Sequence, residues 1–326
     1  MTMFPSGFHW GAATASYQVE GGIDNNDWAQ AAREGRVPEC GRACDHYNRY
    51  EQDFDLAVQL GHNAHRFSIE WARIEPEEGK FDERQVNHYR AVIKALNVRG
   101  LTPYVTLWHF TLPQWVADQA GFENPKTVDN FARYAQYVIS ELGDELEHVS
   151  TMNEPNVYAT HGYLYAEWPP FKRTQLLWKK LGSKESPDTS FANYRAYFRT
   201  TKGLSNAHIA AYQAIKDIAP HIQVSLVKQI HAYTSNWNPI NKLKAYLSTY
   251  YQNRRFMNRV KHHLDEIGLN YYHWTKYGDT EEYKKTDMNW NFNPEHLYDA
   301  LIEIGRYKKP IFVSEAGLAD HDDSDR

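Results

Sequence analysis

The feature of this sequence that most constrains its fold is a regular alternation of amphipathic helix and short apolar strand. Three times in the first half of the chain, a helical pattern runs up to a glycine and an apolar segment follows at once. These glycines are Gly61, Gly100 and Gly143, so the pattern repeats at intervals of 39 and 43 residues. Strands that alternate with helices in this way are typical of a parallel α/β sheet.

The apolar positions in the three helices recur at the spacing that places them on one helical face. The predicted buried stripes are Tyr47, Tyr50, Phe54 and Ala57, then Val86, Tyr89, Ile93 and Leu96, then Phe131, Tyr134, Ala135 and Val138. The candidate strands are "GFHWGAATA", "HNAHRFSI", "LTPYVTLWH", "LEHVSTMN", "HIQVSLVKQ", "DEIGLNYY" and "KKPIFVSEA". The segment 156–205 departs from this rhythm and is interpreted as a long loop.

Seven strand candidates are one short of the eight that close a TIM barrel. The sequence therefore predicts a (β/α)8 barrel whose eighth β/α unit is missing from this chain. A doubly wound sheet is the alternative, but no Gly-x-Gly-x-x-Gly follows the first strand, which disfavours a dinucleotide-binding protein.

Polar residues stand at or near the carboxyl ends of six of these strands. They are Gln18, Arg66, His109, Asn153, Glu154, Asn270, Tyr272 and Glu315. Each alone has an ordinary structural explanation, such as a hydrogen-bonded core residue or a helix cap. Together they are costly at buried strand ends, and the strand ends of a barrel meet at one rim. Two carboxylates in a polar, aromatic cleft are the pattern of glycoside hydrolysis.

The composition narrows the classes of partner. A net charge of −5 with no basic run argues against a nucleic acid or an anionic membrane. The aromatic content of 14% fits both a tightly packed core and sugar-stacking surfaces. Cys40 and Cys44 are too few for a disulfide scaffold or a zinc site, so neither metal nor any other cofactor is expected. The N-terminus lacks a signal-peptide pattern and no apolar window spans a membrane, so a cytoplasmic protein is expected.

The sequence also resembles glycoside hydrolase family 1, the β-glucosidases and β-galactosidases. The stretches that carry the resemblance are, in order, "FHWGAATASYQVEGG", "CDHYNRYEQDFDLAVQLG", "RFSIEWARIEP", "VTLWHFTLPQWV", "STMNEPNVY", "IGLNYY" and "PIFVSEAGLAD". The resemblance implies that Glu154 is the general acid/base and Glu315 the nucleophile. Pro155 is interpreted as the residue after which the chain leaves the strand as a loop.

The resemblance assigns roles to the remaining polar residues as well. Gln18, His109 and Asn153 are expected to bind the sugar hydroxyls, with Asn153 on the 2-hydroxyl. Arg66 and Tyr272 are expected to hold the nucleophile ionised, and Tyr272 is expected to contact the substrate as well. Asn270 is expected either to support the site or to contact the substrate on the aglycone side.

The sequence departs from the family in two places. It reads Glu315-Ala316-Gly317 where the family usually reads Glu-Asn-Gly. It also lacks the eighth strand, whose end grips the outer hydroxyls of the sugar in the family. We therefore interpret 1–326 as a single catalytic domain that is incomplete at its C-terminal side. The first and last strands would then keep open edges, which a homo-oligomer or a complementing C-terminal fragment would cover.

The leading hypothesis is a retaining β-glycosidase that acts on small β-glycosides with a terminal β-D-glucosyl or galactosyl group. Two alternatives stay open. One is an impaired or partner-dependent barrel that binds glycans without efficient hydrolysis. The other is a 6-phospho-β-glycosidase, whose phosphate-binding residues would lie in the missing segment. Retention of both glutamates favours the enzyme.

Overall fold

Short strands that pair in parallel form the centre of both parts of this protein. A computed structural model describes residues 4–172, 193–279 and 283–321. Its internal contacts divide the chain into two compact units, Met1–Val224 and Ser225–Arg326.

The first unit contains four strands that pair in chain order, every pair parallel. They are β1 (Gly11–Ala13), β2 (Ala64–Ser68), β3 (Thr102–Thr106) and β4 (His148–Asn153). The helices between and after them are α1 (Ser16–Val19), α2 (Asp27–Arg33), α3 (His46–Gln59), α4 (Trp71–Ile74), α5 (Glu83–Asn97), α6 (Gln114–Asp118), α7 (Lys126–Leu142), α8 (Pro155–Ala159) and α9 (Tyr194–Ile218). Short 3-10 segments at Gly121–Glu123 and Gly143–Glu145 and a π-helical turn at Thr160–Tyr165 complete the unit.

Ten of the twelve residues in the predicted helical stripes are buried in the core of the first unit. All four predicted residues of α5 and all four of α7 are buried. In α3 only Phe54 and Ala57 are buried, whereas Tyr47 and Tyr50 are half-buried. Tyr47 lies at the edge of the helix contact, where its ring stacks on His88 at 3.7 Å between centroids. All five residues of β2 are buried, as expected for a parallel strand covered on both faces.

The glycines that end the three helices do so in two ways. Gly61 and Gly100 take the left-handed conformation, with φ of 80° and 71°, that commonly follows a helix. Gly143 keeps a helical φ of −66° and starts a 3-10 turn instead. A Cβ at Gly143 would stand 2.9 Å from the Cγ2 of Ile139. Close packing, rather than a left-handed turn, therefore requires glycine there.

The second unit repeats the parallel arrangement with β5 (Gln223–Gln229), β7 (Glu266–Tyr271) and β9 (Ile311–Ala316). Two further strands, β6 (Ala232–Ser235) and β8 (Trp274–Tyr277), pair in a small parallel sheet that the sequence did not predict. The helices are α10 (Pro239–Ser248), α11 (Arg255–Val260) and α12 (Leu297–Gly305), with a π-helical turn at Thr249–Arg254 and a 3-10 turn at Pro294–His296.

Parallel strands in chain order, separated by helices, are the pattern of a (β/α)8 barrel. Seven strands of this pattern lie in the described parts of the chain, one for each predicted strand, which confirms the predicted fold class. The segment 156–205 is less loop-like than predicted. Helix α9 already begins at Tyr194, and α8 and the π-helical turn occupy the start of the segment. Its residues 173–192 lie outside the described residues.

No helix in residues 4–172, 193–279 or 283–321 is long and apolar enough to cross a membrane.

Candidate active site

The turn at Glu154 is the most unusual piece of backbone at a strand end. Strand β4 ends at Asn153, and Glu154 takes a left-handed conformation with φ 43° and ψ 55°. Pro155 then begins α8, so the chain leaves the strand as a short helix rather than as the predicted loop. Glu154 holds the N-cap position, yet its side chain makes no capping hydrogen bond. A buried non-glycine residue in this conformation costs about 1–3 kcal/mol, and such strain concentrates at functional sites.

A hydrogen-bonded chain joins the ends of β2, β3 and β4 beside this turn. Arg66 donates from Nη2 to the Oδ1 of Asn153 at 2.8 Å and from Nε to the Oγ1 of Thr106 at 3.0 Å. The Nδ2 of Asn153 lies 3.4 Å from the Nε2 of His109. Because the arginine occupies the carbonyl oxygen of the amide, the NH2 group is the part of Asn153 that faces His109. The structure thus brings together Arg66, His109 and Asn153, as the sequence predicts.

Gln18 lies on α1, just after β1, and is not part of the hydrogen-bonded network of Arg66, Asn153 and His109. Its side chain is exposed. Two residues on, Glu20 is buried and forms an ion pair with the Nε of Arg73 at 2.8 Å. The hydroxyl of Tyr89 also donates to Glu20, at 2.9 Å. Burial raises the pKa of Glu20 to about 7, although Arg73 and Tyr89 oppose the shift.

Two further buried carboxyl groups, those of Glu70 and Asp27, were not predicted from the sequence. Glu70, at the start of α4, is 1% exposed and accepts hydrogen bonds from the Oγ of Ser16 at 2.8 Å and the Oγ1 of Thr111 at 3.0 Å. Asp27, at the start of α2, accepts from the backbone N of Leu112 at 2.9 Å. Burial raises the pKa of Glu70, and it raises that of Asp27 to about 8. An acid inside the apolar run "RFSIEW" was the signal that could have revealed Glu70.

Three half-exposed aromatic side chains form a ledge next to His109. The ring of Phe110 lies 4.9 Å from that of His109 and 5.0 Å from that of Trp168. The ring of Trp28 lies 5.5 Å from that of Trp168. Phe110, like Glu154, has a positive φ, of 73°. The largest buried aromatic residues lie in the core instead; these are Trp71, Trp108, Tyr89, Tyr134, Tyr158 and Tyr163.

The second unit carries the other predicted carboxylate. Glu315 lies near the end of β9, and the hydroxyl of Tyr272, just after β7, donates to its Oε2. A register shift between Leu269 and Asn270 brings Asn270 opposite Glu315. Asn270 is fully buried, and its Oδ1 accepts from the Oγ of Ser314 at 2.7 Å. Its side chain therefore braces β9 next to Glu315 and exposes no surface to a substrate.

The two sets of residues have complementary chemistry. The first unit offers an amide, an imidazole and the carboxyl group of Glu154, which is 6% exposed. The second offers a carboxylate that accepts a hydrogen bond from a phenol, an interaction that favours its ionised form. Within the part of the chain that the structure describes, no group of three or more His, Cys, Asp or Glu residues is arranged to hold a metal ion.

Comparison with known proteins shows which family the chain is similar to. The sequence model described as "Glycosyl hydrolase family 1" matches residues 1–260. "Beta-glucosidase A" of Acetivibrio thermocellus is 32% identical over 361 residues, which cover 98% of this chain and 80% of that protein. The solved "beta-glycosidase from Pyrococcus horikoshii" superposes with a TM-score of 0.86 at 32% identity, covering 99% of this chain and 78% of that one. The β-glucosidase of Thermotoga maritima in complex with glucoimidazole gives a TM-score of 0.84 at 26% identity, covering 98% and 80%.

Proposed function

This chain belongs to glycosyl hydrolase family 1, and on that premise we propose that it is a retaining β-glycosidase of the β-glucosidase type. Its substrates are small β-glycosides with a terminal β-D-glucosyl or galactosyl group. Residues 1–326 act as one catalytic domain, and the reaction needs no cofactor.

The two glutamates take different roles in a double displacement. The carboxylate of Glu315 attacks the anomeric carbon while Glu154 donates its proton to the departing glycosidic oxygen. The resulting glycosyl ester on Glu315 is then hydrolysed by water, which Glu154 deprotonates as a general base. The β configuration is inverted twice and so is retained in the product.

The observation that carries this proposal is the hydrogen bond from the hydroxyl of Tyr272 to Glu315. A nucleophilic carboxylate must be ionised at working pH, and a phenol donor stabilises that form. Glu154, by contrast, is buried and lies in the left-handed turn that follows β4. The two glutamates need different surroundings, because one must act as a proton donor and the other as an ionised nucleophile.

The polar chain beside Glu154 fits the binding of the sugar. The NH2 group of Asn153 is the donor we assign to the 2-hydroxyl, because Arg66 already occupies its carbonyl oxygen. A bond to this hydroxyl tightens as the oxocarbenium ion develops. Gln18 and His109 bind further hydroxyls, and Arg66 assists in keeping the nucleophile ionised. The aromatic ledge of Phe110, Trp168 and Trp28 offers a flat apolar surface for the aglycone.

The second candidate function is an activity that depends on another copy of the chain or on a complementing fragment. One observation in each unit favours it. All three residues of β1 are exposed, although parallel strands are normally covered on both faces. In the second unit Val313 of β9 is 43% exposed. Measuring hydrolysis together with the molar mass in solution, over a range of protein concentrations, separates this candidate from an independently active monomer.

The test uses p-nitrophenyl β-D-glucoside with the wild type, Glu315→Gln and Glu154→Gln. We expect Glu315→Gln to abolish turnover. Glu154→Gln should retain more activity on this substrate than on an alkyl glucoside, because p-nitrophenol needs little protonation to leave. Glu145→Gln, an exposed glutamate on the 3-10 turn after α7, is the matched control and should behave as wild type.

The anomeric configuration of the sugar that is released first, measured by proton NMR, tests the retaining mechanism directly. A β product is expected, and an α product would overturn the assignment of Glu315 as nucleophile. The same assay with p-nitrophenyl 6-phospho-β-D-glucoside tests the phosphorylated substrate class. Binding of deoxynojirimycin without hydrolysis of any of these substrates would support a glycan-binding protein instead.

A further inference from the structure

We propose that Glu70, a buried carboxyl group that has no part in the chemistry, is a positioning residue that sets the places of Gln18 and His109. It thereby tunes affinity for the sugar at the point of cleavage. The inference rests on the proposed function, because it concerns two side chains that are assigned there to the sugar hydroxyls.

The first connection runs from Glu70 to the segment that carries Gln18. The Oγ of Ser16 donates to the Oε2 of Glu70 at 2.8 Å. Ser16 is the first residue of α1, two positions before Gln18. Its backbone N donates in turn to the Oγ of Ser68, the last residue of β2, at 2.7 Å, so Ser16 is bonded both to the end of β2 and to Glu70 just after it. With only four residues in α1, fixing Ser16 leaves Gln18 little freedom to shift.

The second connection runs from Glu70 to the segment that carries His109. The Oγ1 of Thr111 lies 3.0 Å from each oxygen of the Glu70 carboxyl group. Thr111 also donates from its backbone N to the carbonyl of His109 at 3.0 Å, and its own carbonyl accepts from Trp108 Nε1 at 2.9 Å. These two hydrogen bonds close the turn from Trp108 to Thr111, so a contact at Thr111 also constrains His109.

A third contact reaches the aromatic ledge. The Nδ2 of Asn26 lies 3.4 Å from the Oε1 of Glu70, while its Oδ1 accepts from the backbone N of Ala29 at 2.7 Å and caps α2. Trp28 stands on that helix. One carboxyl group therefore receives donors from three separate segments that each carry a proposed substrate contact.

The burial of Glu70 indicates that this arrangement has a purpose beyond stability. An ionisable side chain that is 1% exposed is expensive unless its interactions are needed. The guanidinium group of Arg73 is bonded to Glu20 rather than to Glu70. A carboxyl group has two oxygens that accept several donors at once, which no apolar residue and no hydroxyl of this size provides.

The test compares Glu70→Ala, Glu70→Gln and a matched control, Glu75→Ala. Glu75 is also fully buried, and it accepts from Trp71 Nε1 at 2.9 Å and from the backbone N of Gly79 at 2.7 Å, but it contacts neither segment that carries a sugar ligand. We expect Glu70→Ala to raise KM for p-nitrophenyl β-D-glucoside about 10- to 100-fold, with kcat reduced about threefold or less. Glu70→Gln, which keeps the size and one acceptor oxygen, should restore KM to within about fivefold of wild type.

The measurements are kcat and KM per titrated active site, the Kd for deoxynojirimycin by calorimetry, and Tm. Glu75→Ala should lower Tm while leaving KM and Kd within about twofold of wild type. If Glu70→Ala gives that same result, Glu70 is only structural and the inference is wrong. Should Glu70→Ala fail to fold, Thr111→Val cuts the connection to His109 alone and must weaken deoxynojirimycin binding at least threefold, or the inference fails.

The two proposals fail in different ways. A wild-type protein that hydrolyses no β-glycoside refutes the proposed enzyme, whereas the Kd for deoxynojirimycin still tests the role of Glu70. A wild-type enzyme whose KM and Kd ignore Glu70 refutes only the positioning role.

Discussion

The hydroxyl of Tyr272 provides the sharpest test of how this site separates two glutamates. Tyr272→Phe removes one oxygen and leaves the ring, so the hydrogen bond to Glu315 is the main interaction lost. A hydrogen bond to a charged group is worth about 1.5–3 kcal/mol. Since about 1.4 kcal/mol is a factor of ten in rate, kcat/KM should fall about 10- to 150-fold.

The same loss predicts a change in pH dependence. The bond stabilises only the ionised form of the nucleophile, so its free energy also separates the two protonation states. One pH unit corresponds to about 1.36 kcal/mol. The acidic limb of the profile of kcat/KM should therefore move to higher pH by about 1–2 units in Tyr272→Phe, and activity should recover partly as the pH is raised.

The assay is kcat/KM for p-nitrophenyl β-D-glucoside between pH 4 and pH 9. The neighbouring residue supplies the control, because the hydroxyl of Tyr271 donates to the backbone carbonyl of Asn293 at 2.7 Å. Tyr271→Phe removes a hydroxyl from the same segment and should lower Tm without moving the acidic limb. A Tyr272→Phe enzyme that loses activity equally at every pH would refute the role of Tyr272 in keeping Glu315 ionised.

Two further predictions concern stability. Gly203→Ala places a Cβ 1.9 Å from the backbone oxygen of Phe122 and should lower the free energy of unfolding, measured in urea, by about 1–3 kcal/mol or more. A Cβ at Gly305 meets nothing within 4 Å, so Gly305→Ala should be neutral or stabilising by up to about 1 kcal/mol. Burial raises the pKa of Asp27 to about 8, so between pH 4 and pH 8 Asp27 keeps its proton in the folded state, whereas the unfolded chain releases it. The contribution of Asp27 to stability is therefore full below about pH 4 and is lost as the pH rises through 8. Asp27→Asn keeps an oxygen for the backbone N of Leu112 and should flatten the decline of Tm between pH 5 and pH 8; an unchanged slope in the variant would contradict the assignment.

The strands of this fold and the buried faces of α5 and α7 are predictable from the sequence because a single constraint governs them. A helix that must bury one face repeats its apolar residues every three or four positions, and every predicted residue in α5 and α7 is buried. The prediction weakens where local pattern and tertiary packing differ. Tyr47 has helical spacing like Phe54, yet it is half-buried because the ring of His88 covers it instead of the core.

The polar residues at the strand ends were predictable from the sequence, but the buried carboxyl groups that are hydrogen-bonded to the segments around them were not. Glu154 and Glu315 stand out because acids at buried strand ends need an explanation. Glu70 and Asp27 make their contacts over 41 and 85 residues of sequence, to Thr111 and Leu112. No periodicity records a contact of that kind, because it depends on how neighbouring strands place their loops. The small sheet of β6 and β8 was missed for a related reason, since four-residue strands are too short to show a period.

The costs concentrated around the ends of β2 to β4 argue that this region is shaped by function more than by stability. Glu154 and Phe110 both hold left-handed backbone conformations, and Glu20, Asp27 and Glu70 are three buried carboxyl groups whose pKa values burial raises. A sequence selected only for stability would replace such groups with apolar residues or glycine. Each of these residues instead lies within two positions of a proposed sugar or aglycone contact, or is hydrogen-bonded to its segment. On the function that we propose, the stability given up here is the cost of holding Gln18, His109 and Asn153 in fixed places before the sugar binds.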